Sequence, residues 1–219
     1  MARAWIFDMD GVLVNTNPYH KSAWTTYAAE LGHNIDEVWM SRHIFGRINR
    51  DAITALLGHE PSEEELKIHT ANKEALFIDL FRPHIALLPG LDKLLAEAKA
   101  ANVPLAVATS APRMNVEFIF GELGLAQYFP VVIDDEMITR GKPDPEIYLK
   151  AAKALSVQPE DCLVFEDSFS GVRAAHAAGM PVIALSTTHK SFEFTDVELV
   201  IKDFQDFCLS DWWNGESHV

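Results

Sequence analysis

Asp8 and Asp10 stand two apart at the end of the apolar run "WIFDMDGVLVNT" (5–16). Side chains alternate along a strand, so both carboxylates leave one face of an extended chain, roughly 6.5 Å apart. Two like charges that close repel unless a cation or a shared proton relieves them. Similar endings recur: "VPLAVATS" (103–110) finishes in Thr109 and Ser110, and "DCLVFED" (161–167) in Glu166 and Asp167. Between them "RGKPDPEIY" sets Lys142 beside Pro143 and Pro145, which stiffen the backbone around it. Acids of this kind suit a hard divalent cation, which takes oxygen ligands and is usually held by one or two carboxylates. Asp8 and Asp167 offer such carboxylates, and a backbone carbonyl near Asp10 a third ligand. Glu166 and Asp167 are adjacent and cannot both point one way in an extended chain; one would bind the cation and the other orient a water. Lys142 and the Thr109 hydroxyl, with nearby backbone amides, then suit the oxygens of a phosphoryl group. An Asp-Gly pair alone is also an ordinary turn signal, so the surrounding elements must decide.

Those elements are six short apolar runs: "AWIFD" (4–8), "VPLAVATS" (103–110), "FPVVIDD" (129–135), "DCLVFED" (161–167), "MPVIALS" (180–186) and "VELVIKD" (197–203). Helical periodicity fills segments between them, as in "GLDKLLAEAKAAN" (90–102) and "SGVRAAHAAG" (170–179). Strand, helix, strand at this rhythm predicts an α/β fold, a Rossmann-like parallel sheet with helices on both faces. In such sheets ligands sit at the carboxyl ends of the strands, near the topological switch point. The acids, hydroxyls and lysine all belong to that edge.

One region breaks the rhythm. From Asn15 to Arg82 only helical pattern is present: "PYHKSAWTTYAAELG", "NRDAITALLG" and "PSEEELKIHTANKEALFIDLF". Pro61, Ser62 and the glutamates behind them form a helix start. A parallel crossover needs a dozen residues or slightly more, and this segment far exceeds that. The expectation is a core of residues 1–14 and 83–219 with an inserted all-α cap over 15–82.

Composition bounds the partners. The chain has 219 residues, 48% of them hydrophobic, and a net charge of −14. A chain this long hides about 70% of its unfolded surface, enough for a sizeable core. The acidic balance argues against nucleic acid and anionic membranes as partners. Cys162 and Cys208 form neither a metal spacing nor a disulfide framework. The N-terminus lacks the pattern of a signal peptide, and no run reaches the roughly 18 to 20 apolar residues of a membrane span. A cytoplasmic location and a monomer are expected.

"DMDGV", "ATS", "GKPDP" and "FEDSFSGV" together resemble the four motifs of the haloacid dehalogenase superfamily of phosphohydrolases. The resemblance covers nearly the whole chain, and the insertion is similar to the helical cap of the β-phosphoglucomutase-like and sugar-phosphatase branch. It implies a magnesium-dependent phosphatase of a small phosphorylated metabolite, working through an aspartyl-phosphate intermediate. Asp8 would be the nucleophile and Asp10 the general acid and then base. Thr109 and Lys142 would hold the phosphoryl group, with Ser110 beside them, and Asp8, Asp10, Glu166 and Asp167 would form the Mg2+ site. The presence of Asp10 counts against a haloacid dehalogenase proper, which has no leaving alkoxide to protonate.

The cap would choose the substrate. His20, in "NPYHKSAW", and Lys73, in "NKEALF", fall where the mutase branch carries a histidine and a lysine. In "FGRINRDA" (45–52) the mutase branch carries an arginine for a second phosphate at the position of Asn49, with Arg47 and Arg50 on either side. The "GRxNxD" pattern looks more like the sugar phosphatases, so a β-phosphoglucomutase-type transfer is the second reading. In so acidic a chain, Arg47, Arg50 and Arg113 are candidates for binding an anionic substrate.

Overall fold

The structure, a computed structural model, describes residues 3–44 and 49–212. It divides into two compact units, residues 1–15 with 86–219, and residues 16–85.

The larger unit is built on a sheet of six strands: β1 (Ala4–Phe7), β2 (Leu105–Ala108), β3 (Val131–Ile133), β4 (Cys162–Glu166), β5 (Val182–Leu185) and β6 (Leu199–Ile201). Their order is β3-β2-β1-β4-β5-β6 and every pairing is parallel. Each strand lies inside one of the six apolar runs, because strands buried on both faces need apolar side chains on both. β1, β2, β4 and β5 are buried throughout. The chain runs outward from β1 to β3, then returns to lay β4 against β1. That reversal puts the switch point between β1 and β4, the strands that end in Asp8 and in Glu166–Asp167.

Alternation assigns the faces. Ala4 and Ile6 of β1, with Cys162 and Val164 of β4, join a core completed by Ile147, Tyr148 and Ala151 of α7 (Glu146–Leu155) and by Ala174 and Ala175 of α8 (Phe169–Ala177). Trp5 and Phe7 turn the other way into an aromatic layer, where Phe7 stacks on Phe165 at 4.4 Å and meets Phe129 and Phe204. Burying one such ring fully contributes about 1.5–3 kcal/mol. The parity that sends Ile6 and Val164 toward α7 also sends Asp8 and Glu166 there. Helices α5 (Leu91–Ala100) and α6 (Arg113–Leu123) complete the crossovers.

The smaller unit holds α1 (Asn17–Glu30), α2 (Glu37–His43), α3 (Asn49–Leu57) and α4 (Glu63–Phe81). Ser62 and Glu65 form a reciprocal capping box at the start of α4. Trp24, Tyr27, Ala28, Met40, Ile53 and Leu56 belong to its own apolar core. The unit extends to Ile85, past the expected boundary at Arg82, since a short 3-10 turn (Arg82–His84) follows α4 and Tyr19 stacks on His84 at 5.4 Å. The short α2 carries no expectation from periodicity; Asp36 caps it by accepting from the Trp39 amide at 2.7 Å.

Candidate active site

Asp8 follows β1 directly, its amide tied to the Phe165 carbonyl at 2.9 Å, and it is 7% exposed. After Asp10 the chain turns sharply at Gly11, whose φ of 75° favours a residue without a Cβ. Lys142 reaches this edge from the loop before α7. Its ammonium donates to Asp8 Oδ1 at 2.6 Å, to Glu166 Oε1 at 2.5 Å and to the Ala108 carbonyl at 3.3 Å. The Tyr148 ring lies under the same ammonium at 4.9 Å, and its hydroxyl donates to Glu166 Oε1 at 2.9 Å. Thr109 ends β2, buried, its amide on the Ile133 carbonyl and its hydroxyl oxygen accepting from the Ala111 amide at 3.1 Å. Ser110 follows it, half-buried.

Glu166 and Asp167 separate as the alternation requires. Glu166 faces Lys142 and Tyr148 with one oxygen, and with the other accepts from the amides of Asp167 and Ser168 and from the Ser168 hydroxyl, all at 2.8–3.0 Å. Both oxygens are thus taken by protein donors. Glu166 therefore anchors Lys142. Gly171, in the first turn of α8, leaves room for it: a Cβ there would sit 1.7 Å from Glu166 Oε1. Asp167 points instead to the loop after β5, where the Thr188 hydroxyl donates to its Oδ2.

The electrostatics follow from burial and charge count. Burial pushes the Asp8 carboxyl well above the usual range; Lys142 opposes this, while Glu166, Asp167 and Asp10 add to it. Asp167 is pushed up to about 7 by burial and by Glu166, against the Thr188 hydroxyl and Lys142. Burial also works on Glu166, but Lys142, the Ser168 amide and the Tyr148 hydroxyl outweigh it and hold Glu166 below its ordinary value. For Lys142 burial disfavours the charge, and Asp8 and Glu166 more than offset it. Two carboxylates hold one ammonium and two more act on Asp8 from nearby, and a divalent cation would relieve the excess.

Among the described residues no three His, Cys, Asp or Glu side chains cluster so as to hold a metal ion by themselves. Asp8 and Asp167 with the backbone at Asp10 offer oxygens that match a hard cation, one that takes one or two carboxylates and completes its shell with waters and a substrate oxygen. The residues fit magnesium in that form.

In the smaller unit Lys73 and Glu74 are both buried and in contact at 2.5 Å. Asn49 donates to Glu74 at 2.8 Å, and His20, stacked on Phe77, lies 3.4 Å from the Lys73 ammonium. His20, Asn49 and Lys73 therefore form one polar cluster. Arg50 does not join it. Its guanidinium bridges Glu60 at 3.0 Å and Glu63 at 2.7 Å, so it fastens α3 to the start of α4. Arg113 pairs through Nε with the buried Asp134 at 2.6 Å. Arg47 lies outside the described residues.

Three side chains at the edge escaped the sequence reading. Tyr148 reads as one more apolar residue on the inner face of α7. Thr187 and Thr188 lie two and three residues past the end of β5, beyond the Ser186 that closes the run "MPVIALS", so the strand-end signal stops short of them.

The sequence profile of the haloacid dehalogenase-like hydrolases matches residues 2–179. Among curated proteins the chain is 33% identical over 210 residues to a validoxylamine A 7'-phosphate phosphatase of Streptomyces hygroscopicus subsp. limoneus, covering 94% of this chain and 96% of that one. It is 30% identical over 215 residues to the β-phosphoglucomutase of Bacillus subtilis, covering 94% and 92%. Two other curated relatives are much longer, and the chain spans 56% and 55% of their lengths. A crystal structure of a CbbY variant from Rhodobacter sphaeroides in complex with xylulose-(1,5)bisphosphate superposes with a TM-score of 0.83 at 30% identity, covering 94% of this chain and 96% of that one. No helix among the described residues is long and apolar enough to cross a membrane. On the profile, the identities and the six-stranded sheet together, the chain is an enzyme of the haloacid dehalogenase-like hydrolase family.

Proposed function

We propose that this chain is a Mg2+-dependent phosphatase that hydrolyses a small phosphorylated metabolite, a sugar phosphate, through an aspartyl-phosphate intermediate. The observation that carries the reading is Lys142 held between Asp8 and Glu166 at the β1–β4 switch point, with Asp167 and Thr109 at the same sheet edge.

Asp8 attacks the phosphorus, and the bond to the substrate oxygen breaks as Asp10 delivers its proton to the leaving alkoxide. Asp10 then takes a proton from water, the water oxygen attacks phosphorus, and the Asp8–phosphorus bond breaks to release inorganic phosphate. Lys142 and Thr109 hold the non-bridging oxygens, with Ser110 next to them, and Glu166 and Tyr148 keep Lys142 in place. Asp8, Asp167 and the backbone at Asp10 would hold Mg2+, which when bound supplies positive charge to offset the phosphoryl oxygens. The helical unit acts as the cap, and His20, Asn49 and Lys73 are its candidate substrate-binding residues. A cytoplasmic, monomeric enzyme free of nucleic acid and membrane partners is the setting this reading takes.

The β-phosphoglucomutase relative supports a second reading, in which a sugar hydroxyl in place of water receives the phosphoryl group. Asn49, committed to Glu74, favours hydrolysis, since it supplies no cation for a second phosphate. Phosphate release is measured across a panel of sugar phosphates with Mg2+, including β-glucose 1-phosphate with a trace of its 1,6-bisphosphate. Release from one or a few monophosphates is the expected result. Conversion to glucose 6-phosphate with little free phosphate would establish the mutase instead.

A further inference from the structure

The loop after β5 brings two hydroxyls into the same sheet edge. β4 and β5 run parallel with Glu166 level with Ala184, so the chain beyond Leu185 emerges beside Asp167. Thr188 Oγ1 donates to Asp167 Oδ2. Thr187 Oγ1 donates to the Gly11 carbonyl at 2.6 Å and lies 3.4 Å from the same Asp167 oxygen. A hydroxyl carries one proton; the shorter contact takes that of Thr187, so of the two threonines it is Thr188 that donates to Asp167. The two threonines thereby join the turn that carries Asp10 to the carboxylate at the end of β4.

This connection has a consequence for cation binding. The terminal torsion of an aspartate is broad, so its carboxylate plane is set by whatever donors hold it. Magnesium demands near-octahedral geometry at short distances and tolerates a badly turned ligand poorly. We propose that Thr188 is a positioning residue for the divalent-cation site, fixing the plane of the Asp167 carboxylate through Oδ2, while Thr187 fixes the backbone beside Asp10. The inference rests on Asp8, Asp167 and the Asp10 backbone being the cation ligands.

The test titrates Mn2+ alone into the full chain and follows free aquo-Mn2+ by electron paramagnetic resonance. Wild type is compared with Thr188→Val, Thr188→Ser, Thr187→Val and Asp167→Asn. Loss of a partner that orients a metal ligand costs about 10–100-fold in affinity, so Thr188→Val is expected to weaken Mn2+ binding by that factor. Thr188→Ser, which keeps the donor, returns most of it, and Thr187→Val costs less than Thr188→Val. A thermal midpoint on each variant separates positioning from loop fastening. Thr188→Val with a lowered midpoint but wild-type Mn2+ affinity would overturn the proposal. The reading beneath it has its own control: if Asp167→Asn binds Mn2+ as wild type does, the ligand assignment fails and the proposal with it. If Asp167→Asn loses binding while Thr188→Val keeps it, only the proposal fails.

Discussion

The two units each bury a lysine against carboxylates, and they balance the charge differently. In the helical unit Lys73 meets Glu74, with Asn49 and His20 beside them. At the sheet edge Lys142 meets Asp8 and Glu166, with Asp10 and Asp167 close enough to raise the Asp8 carboxyl further. Burying a charge is costly unless it is paired. The first cluster sets its lysine against one carboxylate, whereas the second sets its lysine beside a surplus of carboxylates that a cation or a proton would relieve. A buried ion pair alone is weak grounds for assigning a function, and an uncompensated surplus at a strand switch point is stronger.

The largest expected effect is on chemistry. Asp8→Asn keeps the side-chain volume and removes the nucleophile, so turnover of para-nitrophenyl phosphate is expected to fall by roughly 10⁴–10⁶-fold. Its thermal midpoint should stay near that of wild type. Next comes the direct contrast between the two lysines. Removing one partner of a buried ion pair typically costs about 3–5 kcal/mol, and both Lys142→Met and Lys73→Met are expected to show that loss in urea unfolding. Added Mg2+ should restore part of the stability of Lys142→Met and none of that of Lys73→Met. Equal restoration of both would remove the distinction between the units.

The smallest effect concerns the loop that delivers Lys142. Glu146 accepts from the Thr139 amide and hydroxyl, from the Arg140 amide and from Lys150, and these bonds lower its carboxyl to about 2, with the Lys150 ammonium first. A group whose folded value lies below its unfolded value of 4.5 stabilises fully above that pH and loses its contribution as the pH falls toward 2. Acid titration of the unfolding midpoint should therefore show a steeper fall over this window in wild type than in Glu146→Gln. Equal slopes would mean that the clasp adds nothing.

Much of this was legible in the sequence for definite reasons. All six strands sit inside apolar runs because a parallel sheet covered on both faces has no polar side, and the capped start of α4 is written in Ser62 and Glu65. Asp8, Thr109, Glu166 and Asp167 could be found because each ends a strand, and the end of a strand is a position in the sequence. Tyr148 could not, since an aromatic residue on the buried face of a helix looks the same whether or not its hydroxyl has a task. Arg50 shows the complementary limit. Its positive charge is local, but the glutamates that occupy it come from the next helix and its lead-in, and no spacing rule connects them. Glu166 was grouped with the cation ligands through the family resemblance, and its hold on Lys142 becomes visible only once Tyr148 and Lys142 are in place.

The most direct test of the account asks whether phosphorus becomes bonded to Asp8. Asp10→Asn retains the nucleophile but lacks the base that would activate water, so with the good leaving group of para-nitrophenyl phosphate it should accumulate the intermediate. The variant, mixed with para-nitrophenyl phosphate and Mg2+ and quenched in acid, is analysed by intact mass and peptide mapping. One phosphoryl group on the peptide that contains Asp8, absent when Asp8 is also changed to Asn, is the expected result. A phosphoryl group on another residue, or release of para-nitrophenol with none on Asp8, would contradict the mechanism.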